Sequence, residues 1–167
     1  MDNGLRDSLI KVCGLLKKHK VEYMIVGGTA VALHGYFRMS MSITGHPADK
    51  PDLDFWYNPS YNNYFNLLDA IEALGEDVSE FKNEKSPNPR KSFFKLNFDR
   101  FTIDFLPELP GLSKFRSSYE SKEVAQIDDV DIMFINFDDL IANKRETARG
   151  RDITDVDELI KRRKDDL

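Results

Sequence analysis

The stretch Asp52-Leu53-Asp54-Phe55-Trp56-Tyr57 places two carboxylates two residues apart, at the head of a run rich in aromatic residues. Side chains alternate between the two faces of a β-strand, so a strand here would project Asp52 and Asp54 to the same side. Two like charges side by side repel each other unless a cation lies between them, and a divalent metal ion with oxygen ligands is the simplest such cation. The stretch therefore predicts a strand that carries part of a metal site. The alternative is a solvent-facing pair of carboxylates at the entrance of a strand.

Upstream of this strand, an apolar run ends in two glycines. Tyr23-Met24-Ile25-Val26 predicts a buried strand, Gly27-Gly28 a tight turn, and the segment from Thr29 to Leu33 a helix that Thr29 would cap. The backbone N–H groups of a glycine turn can approach an anion closely, and a helix N-terminus adds partial positive charge. Gly27, Gly28 and Thr29 are therefore candidate phosphate ligands, although a plain tight turn has the same pattern.

A third carboxylate lies in a later strand pattern. Residues 93–96 and 101–106 flank a turn and predict a hairpin, in which Asp104 lies on the face opposite three large apolar side chains. An aspartate in such a strand costs stability unless it is paired or binds a metal. Asp104 is therefore predicted to join Asp52 and Asp54 in one site.

The rest of the chain alternates between helical and strand patterns. Apolar spacing predicts helices over 5–18, 60–74, 137–149 and 152–160, and a second hairpin over 124–127 and 130–135. Gly75 and Gly150 are predicted to end two of these helices. We expect an α+β fold with a small mixed β-sheet flanked by helices. The chain would form a single domain over 1–167, with a core at about 21–136 and a C-terminal helical segment at about 137–167.

Composition narrows the class of protein. A chain of 167 residues that is 41% hydrophobic and contains 12 Phe can bury a real core. The net charge of −5 argues against general binding to nucleic acids or membranes, although the basic residues 82–91 could contact nucleic acid or polyphosphate unless they form only a solvated loop. The single cysteine, Cys13, excludes a disulfide framework and a cysteine-based zinc site, and it is expected in the core. With no secretory or membrane-spanning pattern, a soluble, cytoplasmic protein is expected.

These motifs together resemble a known family signature. Gly27-Gly28-Thr29-Ala30, His34-Gly35, Arg38, Asp52-Leu53-Asp54 and Ile103-Asp104-Phe105-Leu106 are similar, in that order, to the signature of the nucleotidyltransferase (polymerase-beta-like) superfamily. The likeness is closest to the abortive-infection toxin branch, which also ends in a helical segment similar to 140–144 followed by 149–152 and Asp155. The resemblance extends from about Val21 to Leu159. The interval between Gly28 and Asp52 is longer than the family pattern, and the excess lies in Ser42 to Pro51.

The resemblance implies an enzyme that moves a nucleoside monophosphate from an NTP to an acceptor. Asp52, Asp54 and Asp104, at one edge of the sheet, would be catalytic and would hold Mg²⁺ or Mn²⁺, with Asp104 also helping to activate the acceptor hydroxyl. The implied nucleotide-binding residues are Gly27, Gly28, Thr29, Arg38 and Lys144. Arg151 with Asp152 would brace the helical end.

Several acceptors and two other functions stay open at the level of sequence. The acceptor would be an RNA such as tRNA, a protein or a small molecule, and the toxin likeness adds a cognate antitoxin as a partner. The alternatives are a catalytically silent module that binds nucleotide or a partner protein, and an antibiotic nucleotidyltransferase of the aminoglycoside or lincosamide type. A basic groove along 82–95 would favour RNA, whereas an open acidic pocket would favour a cationic drug.

Overall fold

The strand patterns of the sequence form one mixed sheet. The structure, a computed structural model, describes residues 3–36 and 50–165. The six strands are β1 (Tyr23–Val26), β2 (Asp52–Tyr57), β3 (Phe94–Asn97), β4 (Thr102–Leu106), β5 (Glu123–Ile127) and β6 (Val130–Phe134). Their order across the sheet is β3-β4-β2-β1-β6-β5. Strands β2 and β4 run parallel, as do β1 and β6, whereas the other neighbours are antiparallel.

Helices pack around this sheet, which confirms the predicted α+β fold. In the described part of the chain they are α1 (Asn3–Lys18), α2 (Gly27–Val31), α3 (Tyr61–Ala73), α4 (Ser79–Lys82), α5 (Phe115–Glu120), α6 (Phe137–Thr147) and α7 (Gly150–Asp165). A π-helical segment, Ala32–Tyr36, follows α2, and a 3₁₀ turn, Pro89–Lys91, precedes β3. Within residues 3–36 and 50–165, no helix is long and apolar enough to cross a membrane.

The face of β2 opposite the aspartates forms the centre of the core. Leu53, Phe55 and Tyr57 are fully buried on that face, and the Phe55 ring packs against Tyr23 and Phe105. Helix α1 contacts β6 and α3, and its buried side chains belong to the same apolar core. Burial of one face of β2 fixes the register of the strand, because a shift by one residue would turn the aspartates inward.

The register of β2 brings the sequence motifs to one level of the sheet. Asp54 is paired with Asp104 on β4 and with Val26 at the end of β1. Gly27 and Gly28 follow Val26 directly and form the first turn of α2 rather than a separate tight turn, so α2 begins at the level of Asp54. The fold thus places these two glycines, called the glycine turn below, beside the strands that carry the three carboxylates.

Two predicted helix boundaries are wrong. Gly150 does not end a helix but begins α7, while α6 ends at Thr147. The break falls earlier because Ala148 adopts a left-handed conformation (φ +47°) and donates its N–H to Lys144 O. Thr29 does not cap a helix either, since α2 already begins at Gly27. The N-cap residue of α2 is instead Val26, whose side chain cannot accept a hydrogen bond.

Candidate metal centre

Three carboxylates form a cluster on β2 and β4. Asp52, Asp54 and Asp104 can each offer one oxygen such that all three lie within 4.8 Å of one another. Asp52 is exposed, whereas Asp54 and Asp104 are half-buried. The prediction that the aspartates lie at one edge of the sheet is wrong, because β2 and β4 are interior strands. The parallel pairing of these two strands is what places Asp54 directly beside Asp104.

Asp52 is held in place by two threonines. The hydroxyl of Thr102 on β4 donates to Asp52 Oδ1 at 2.7 Å. The hydroxyl of Thr29 donates to the backbone oxygen of Asp52 at 3.4 Å. The hydrogen bond from Thr102 involves only Oδ1 of Asp52 and not Oδ2. Carboxylates that bind a metal through one oxygen are commonly oriented by a hydrogen bond to the other. Sequence reasoning missed Thr102, although its position two residues before Asp104, on the same strand face, was the available signal.

Asp54 is the most strongly perturbed carboxylate of the cluster. Burial, and then the charges of Asp52 and Asp104, raise its pKa to about 7, while the positive charges of Lys144 and Arg151 act in the opposite direction. A carboxyl group with such a pKa is costly to ionise in the absence of a cation, and a bound metal ion would relieve that cost.

Gly27 provides the space that the Asp54 carboxylate occupies. A Cβ atom at residue 27 would overlap Asp54 Oδ2, and Gly27 has a φ of +67°. Both the close approach and the left-handed backbone favour glycine. By contrast, nothing lies within 4 Å of the corresponding position at Gly28. The close approach of the carboxylate therefore requires glycine at residue 27, whereas the open space at residue 28 would accept a side chain.

Asp104 is the member of the cluster that lies on β4, the strand next to β3. Burial raises its pKa, the charge of Lys95 opposes that shift, and the charge of Asp52 adds to it. Lys95 is the residue of β3 that pairs with Asp104 in the antiparallel register, so both side chains lie on the same face of the sheet. The cluster is thus flanked by a cation on its β3 side.

These observations fit a site for a divalent cation. The donor set consists of carboxylate oxygens, which Mg²⁺ and Mn²⁺ prefer, and within the described residues no direct ion pair neutralises Asp54. The absent side chain at Gly27 leaves the room that Asp54 Oδ2 occupies. Across residues 3–36 and 50–165, no other group of three or more Asp, Glu, His or Cys side chains brings its ligand atoms as close together.

Lys144 lies near the cluster but is held by other carboxylates. Its buried ammonium pairs with Asp152 Oδ1 at 3.1 Å and with Asp155 Oδ2 at 3.2 Å. Asp152 is fully buried and also accepts from Thr147 Oγ1 at 2.8 Å and from Arg149 Nε at 2.7 Å. Burial works to raise the pKa of Asp152, but these hydrogen bonds outweigh it and hold the pKa well below its usual range. Lys144 therefore joins α6 to α7 while its charge still acts on Asp54.

Arg149 takes the structural role that was predicted for Arg151. Arg149 contacts Asp152 through both its side chain and its backbone N–H, whereas Arg151 is exposed and acts on Asp54 through its charge. Both arginines lie within three residues of Asp152, so proximity along the chain could not identify the partner. Arg38 and residues 42–49 of the longer interval lie outside the described residues.

His34 is a packing residue of a separate cavity. Its ring hydrogen-bonds through Nε2 to Ile135 O at 2.7 Å and packs edge-on against Phe134 and Phe137. A cavity of about 290 Å³ is lined by His34, Glu123, Phe134, Phe137, Leu159 and Arg163. None of the three aspartates lines it, so His34 is not part of the metal centre.

The structure brings together the three aspartates, the glycine turn and the charge of Lys144, all of which the sequence singled out. No protein-family model matches the chain, and the search of curated proteins found no match. The geometry of the carboxylate cluster is therefore the main support for a function.

Proposed function

We propose that the protein is a metal-dependent nucleotidyltransferase that moves a nucleoside monophosphate from an NTP to an acceptor hydroxyl. The observation that carries this proposal is the carboxylate cluster of β2 and β4 beside the glycine turn that follows β1. Nucleotidyl transfer requires mainly that a triphosphate be positioned and its charge neutralised, and this arrangement offers both.

Asp52, Asp54 and Asp104 would hold Mg²⁺ or Mn²⁺. The metal would supply positive charge against the triphosphate and lower the pKa of the attacking hydroxyl. Thr102 orients Asp52 through its hydrogen bond, and Gly27 admits the Asp54 carboxylate. Asp52 and Asp54 therefore have separate supports in the surrounding structure.

The glycine turn and two cations favour a bound triphosphate. Backbone N–H groups of Gly27 and Gly28 can donate to phosphate oxygens, and the open space beside Gly28 leaves room for them. The positive charges of Lys144 and Arg151 are close enough to Asp54 to lower its pKa. A phosphate group bound next to Asp54 would experience the same field.

In the reaction, the acceptor oxygen attacks the α-phosphorus of the NTP. The bond between that phosphorus and the bridging oxygen to the β-phosphate breaks, and pyrophosphate leaves with the electron pair. Asp104, to which the family likeness assigns activation of the acceptor hydroxyl, would take the proton of that hydroxyl, and its raised pKa supports this role. The likeness to the abortive-infection branch adds the proposal that this reaction serves a toxin with a cognate antitoxin.

A second candidate is a nucleotide-binding module that does not turn over. The observation that favours it is the ion pairing of Lys144 with Asp152 and Asp155, which engages the ammonium that the family likeness assigns to the nucleotide. Such a module would still bind metal and NTP at the same cluster.

Transfer of label tests the two candidates against each other. The protein is incubated with each α-labelled NTP and Mg²⁺ or Mn²⁺, in the presence of total RNA, protein extract or small-molecule acceptors. We expect labelled product with the wild type and with Asp129→Asn, a matched change in an exposed hairpin turn, but none with Asp54→Asn. Metal-dependent NTP binding without labelled product would support the silent module, and label that persists in Asp54→Asn would overturn the assignment of the site.

A further inference from the structure

The two outer strands of the sheet differ in how they are protected. Among the described strands, β3 lies at one end of the sheet and β5 at the other. An unprotected edge strand can pair with another chain, and proteins commonly prevent this with a lysine within the strand. Strand β3 carries Lys95, and Lys50 donates hydrogen bonds to the chain at its end. The centre of β5 is instead the uncharged run Val124-Ala125-Gln126, in which Val124 is 52% exposed.

The geometry of the β5–β6 hairpin leaves the backbone groups of two β5 residues free. Asp128 and Asp129 both have positive φ, as in a type I′ turn, and they join β5 directly to β6. Ile127 flanks this two-residue turn and is hydrogen-bonded to β6, and such bonding recurs at every second residue. Val124 and Gln126 therefore direct their N–H and C=O groups away from β6. In the described part of the chain, no backbone group of another strand or loop bonds to them.

Charges of opposite sign flank the uncharged run. Lys122 precedes β5, its Nζ lies 4.0 Å from the centre of the Tyr119 ring, and it forms no ion pair with any described residue. Asp128 follows β5, pairs with Arg6 and has a side chain that is 60% exposed. Glu123 lies between these two residues in the sequence, but the alternation of the strand directs it to the face opposite Lys122.

We propose that β5 pairs antiparallel with β5 of a second copy of this chain, about a two-fold axis at Ala125. In this register, Val124 of each copy exchanges backbone hydrogen bonds with Gln126 of the other. Ala125 forms the central, non-hydrogen-bonded pair, in which the two strands approach most closely and a small side chain fits best. The pairing would use the free backbone groups of both copies.

The flanking charges favour this register. Lys122 of each copy lies opposite Asp128 of the other, and opposite charges across a strand pair stabilise it. A centre one residue later in the chain would place Glu123 opposite Asp129, and like charges in that position are destabilising. A centre one residue earlier would place Lys122 opposite the uncharged Gln126. The edge is therefore most complementary to itself when the axis passes through Ala125.

The pairing would join two sheets into one and leave the metal centres apart. A two-fold axis perpendicular to the sheet keeps both carboxylate clusters on the same face. Strands β1 and β6 separate β2 from β5, so the two β2 strands would be seven strand spacings, or about 34 Å, apart. The pairing uses no residue of the metal centre, so dimer formation and metal binding can be tested separately.

Sedimentation velocity over protein concentrations from the low micromolar to the several-hundred-micromolar range tests for the dimer. We expect a reversible equilibrium between monomer and dimer in the wild type. Lys122→Asp and Asp128→Lys each place like charges opposite each other at both ends of the strand pair, and each is expected to raise the dissociation constant about 4- to 30-fold. Lys161→Asp, an equal charge change at the exposed end of α7, is expected to leave the constant nearly unchanged.

Mixing the two charge variants distinguishes altered pairing from damaged folding. In a heterodimer of Lys122→Asp with Asp128→Lys, opposite charges face each other at both ends, so the mixture is expected to dimerise about as strongly as the wild type. Asp128 has a φ of +47° and pairs with Arg6, so thermal unfolding of Asp128→Lys shows whether the turn is intact. Val124→Lys, at an exposed position outside the turn, is also expected to weaken the dimer, because the two new lysines lie diagonally across the axis.

Amide hydrogen exchange locates the contact. The N–H groups of Val124 and Gln126 are expected to exchange more slowly at high than at low protein concentration, with no such change in β3. A chain that stays monomeric at every concentration would overturn the proposal, and this is the outcome expected if β5 instead pairs with a strand of a different protein. A dimer without protection of these two amides, or charge variants that associate no better mixed than alone, would also overturn it.

Discussion

At the level of single residues, ionisation of the Asp54 carboxyl group costs free energy, and a bound cation would reduce that cost. Its pKa lies near 3.8 in the unfolded chain and about 7 in the folded protein. Between these values the folded state binds more protons than the unfolded state, so the free energy of unfolding falls as the pH rises through this window. Burial and the two neighbouring carboxylates thus raise the cost of ionising Asp54, and the proposed metal ion would offset that cost.

We predict that Asp54→Asn stabilises the metal-free protein above pH 7 and has little effect below pH 4. The difference should be roughly 1–3 kcal/mol, less than the full conversion of the pKa shift because the side chain is only partly buried. Urea denaturation in the presence of a chelator, at several pH values, measures it. In the wild type, affinity for Mn²⁺ should rise with pH up to about 7. A stability difference that does not change with pH would contradict the perturbed carboxyl group.

Gly27→Ala is predicted to damage both stability and metal binding. The new methyl group would overlap Asp54 Oδ2, and alanine would have to adopt a φ of +67°. A left-handed conformation alone costs an L-residue about 1–2 kcal/mol. Gly28→Ala is the control for stability, because nothing lies within 4 Å of its added methyl group. Thermal unfolding and Mn²⁺ titration of both variants test this, and equal behaviour of the two would show that Gly27 has no special role.

Thr102 is predicted to orient Asp52 rather than to stabilise the fold. Thr102→Val keeps the shape of the side chain but removes the donor to Asp52 Oδ1. Removal of such a supporting hydrogen bond typically reduces metal affinity about 10- to 100-fold. Thr102→Ser retains the hydroxyl and should restore Mn²⁺ affinity, measured by isothermal titration calorimetry. Wild-type affinity in Thr102→Val would show that the bond does not matter for the site.

At the level of elements, alternation and apolar runs predicted most of the sheet. The bounds of β1 and β2 match the predicted ones, because buried strands of four to six residues leave a clear local pattern. The local sequence pattern predicted that a helix ends at Gly150, and this prediction is wrong. Helix α6 ends earlier, at the left-handed residue Ala148. An alanine in that conformation has no sequence signal, and its two neighbours, Thr147 and Arg149, both donate hydrogen bonds to Asp152.

Contacts between distant strands could not be predicted in the same way. The sequence grouped Asp104 with Asp52 and Asp54 on chemical grounds, but the parallel pairing of β2 with β4 was not visible in it. That pairing brings Thr102 to Asp52, and the β3–β4 register brings Lys95 to Asp104. Registers depend on the packing of the whole sheet, so the partners of Thr102 and Lys95 emerge only from the structure.

The junction of α6 and α7 is predicted to depend on Asp152. Asp152→Ala would leave the buried Lys144 ammonium with Asp155 alone and remove one of the two acceptors of the Thr147 hydroxyl. Removing one partner of a buried ion pair costs about 3–5 kcal/mol. Arg163→Gln, which breaks an exposed ion pair with Asp138 on the same two helices, should change stability by less than about 1 kcal/mol. Urea denaturation of both variants tests this, and similar destabilisation by the two would contradict the role of the buried cluster.

At the level of the whole molecule, cations lie near the carboxylate cluster although the chain is acidic. The net charge of −5 argues against general binding of polyanions. Yet Lys95 pairs with Asp104 across the strands, and the charges of Lys144 and Arg151 act on Asp54. A bound metal would neutralise the carboxylates, and the surrounding cations would then favour anionic substrates. The net charge alone therefore does not indicate which charged ligands this site would favour.

The most direct test of the metal centre is the anomalous scattering of Mn²⁺ in crystals of the protein soaked with a non-hydrolysable NTP analogue. We predict anomalous density within coordination distance of carboxylate oxygens of Asp52, Asp54 and Asp104, with the triphosphate against the Gly27-Gly28 turn. Asp54→Asn crystals, treated in the same way, should lose that density. Manganese or triphosphate bound elsewhere, with none between the three aspartates, would contradict the account.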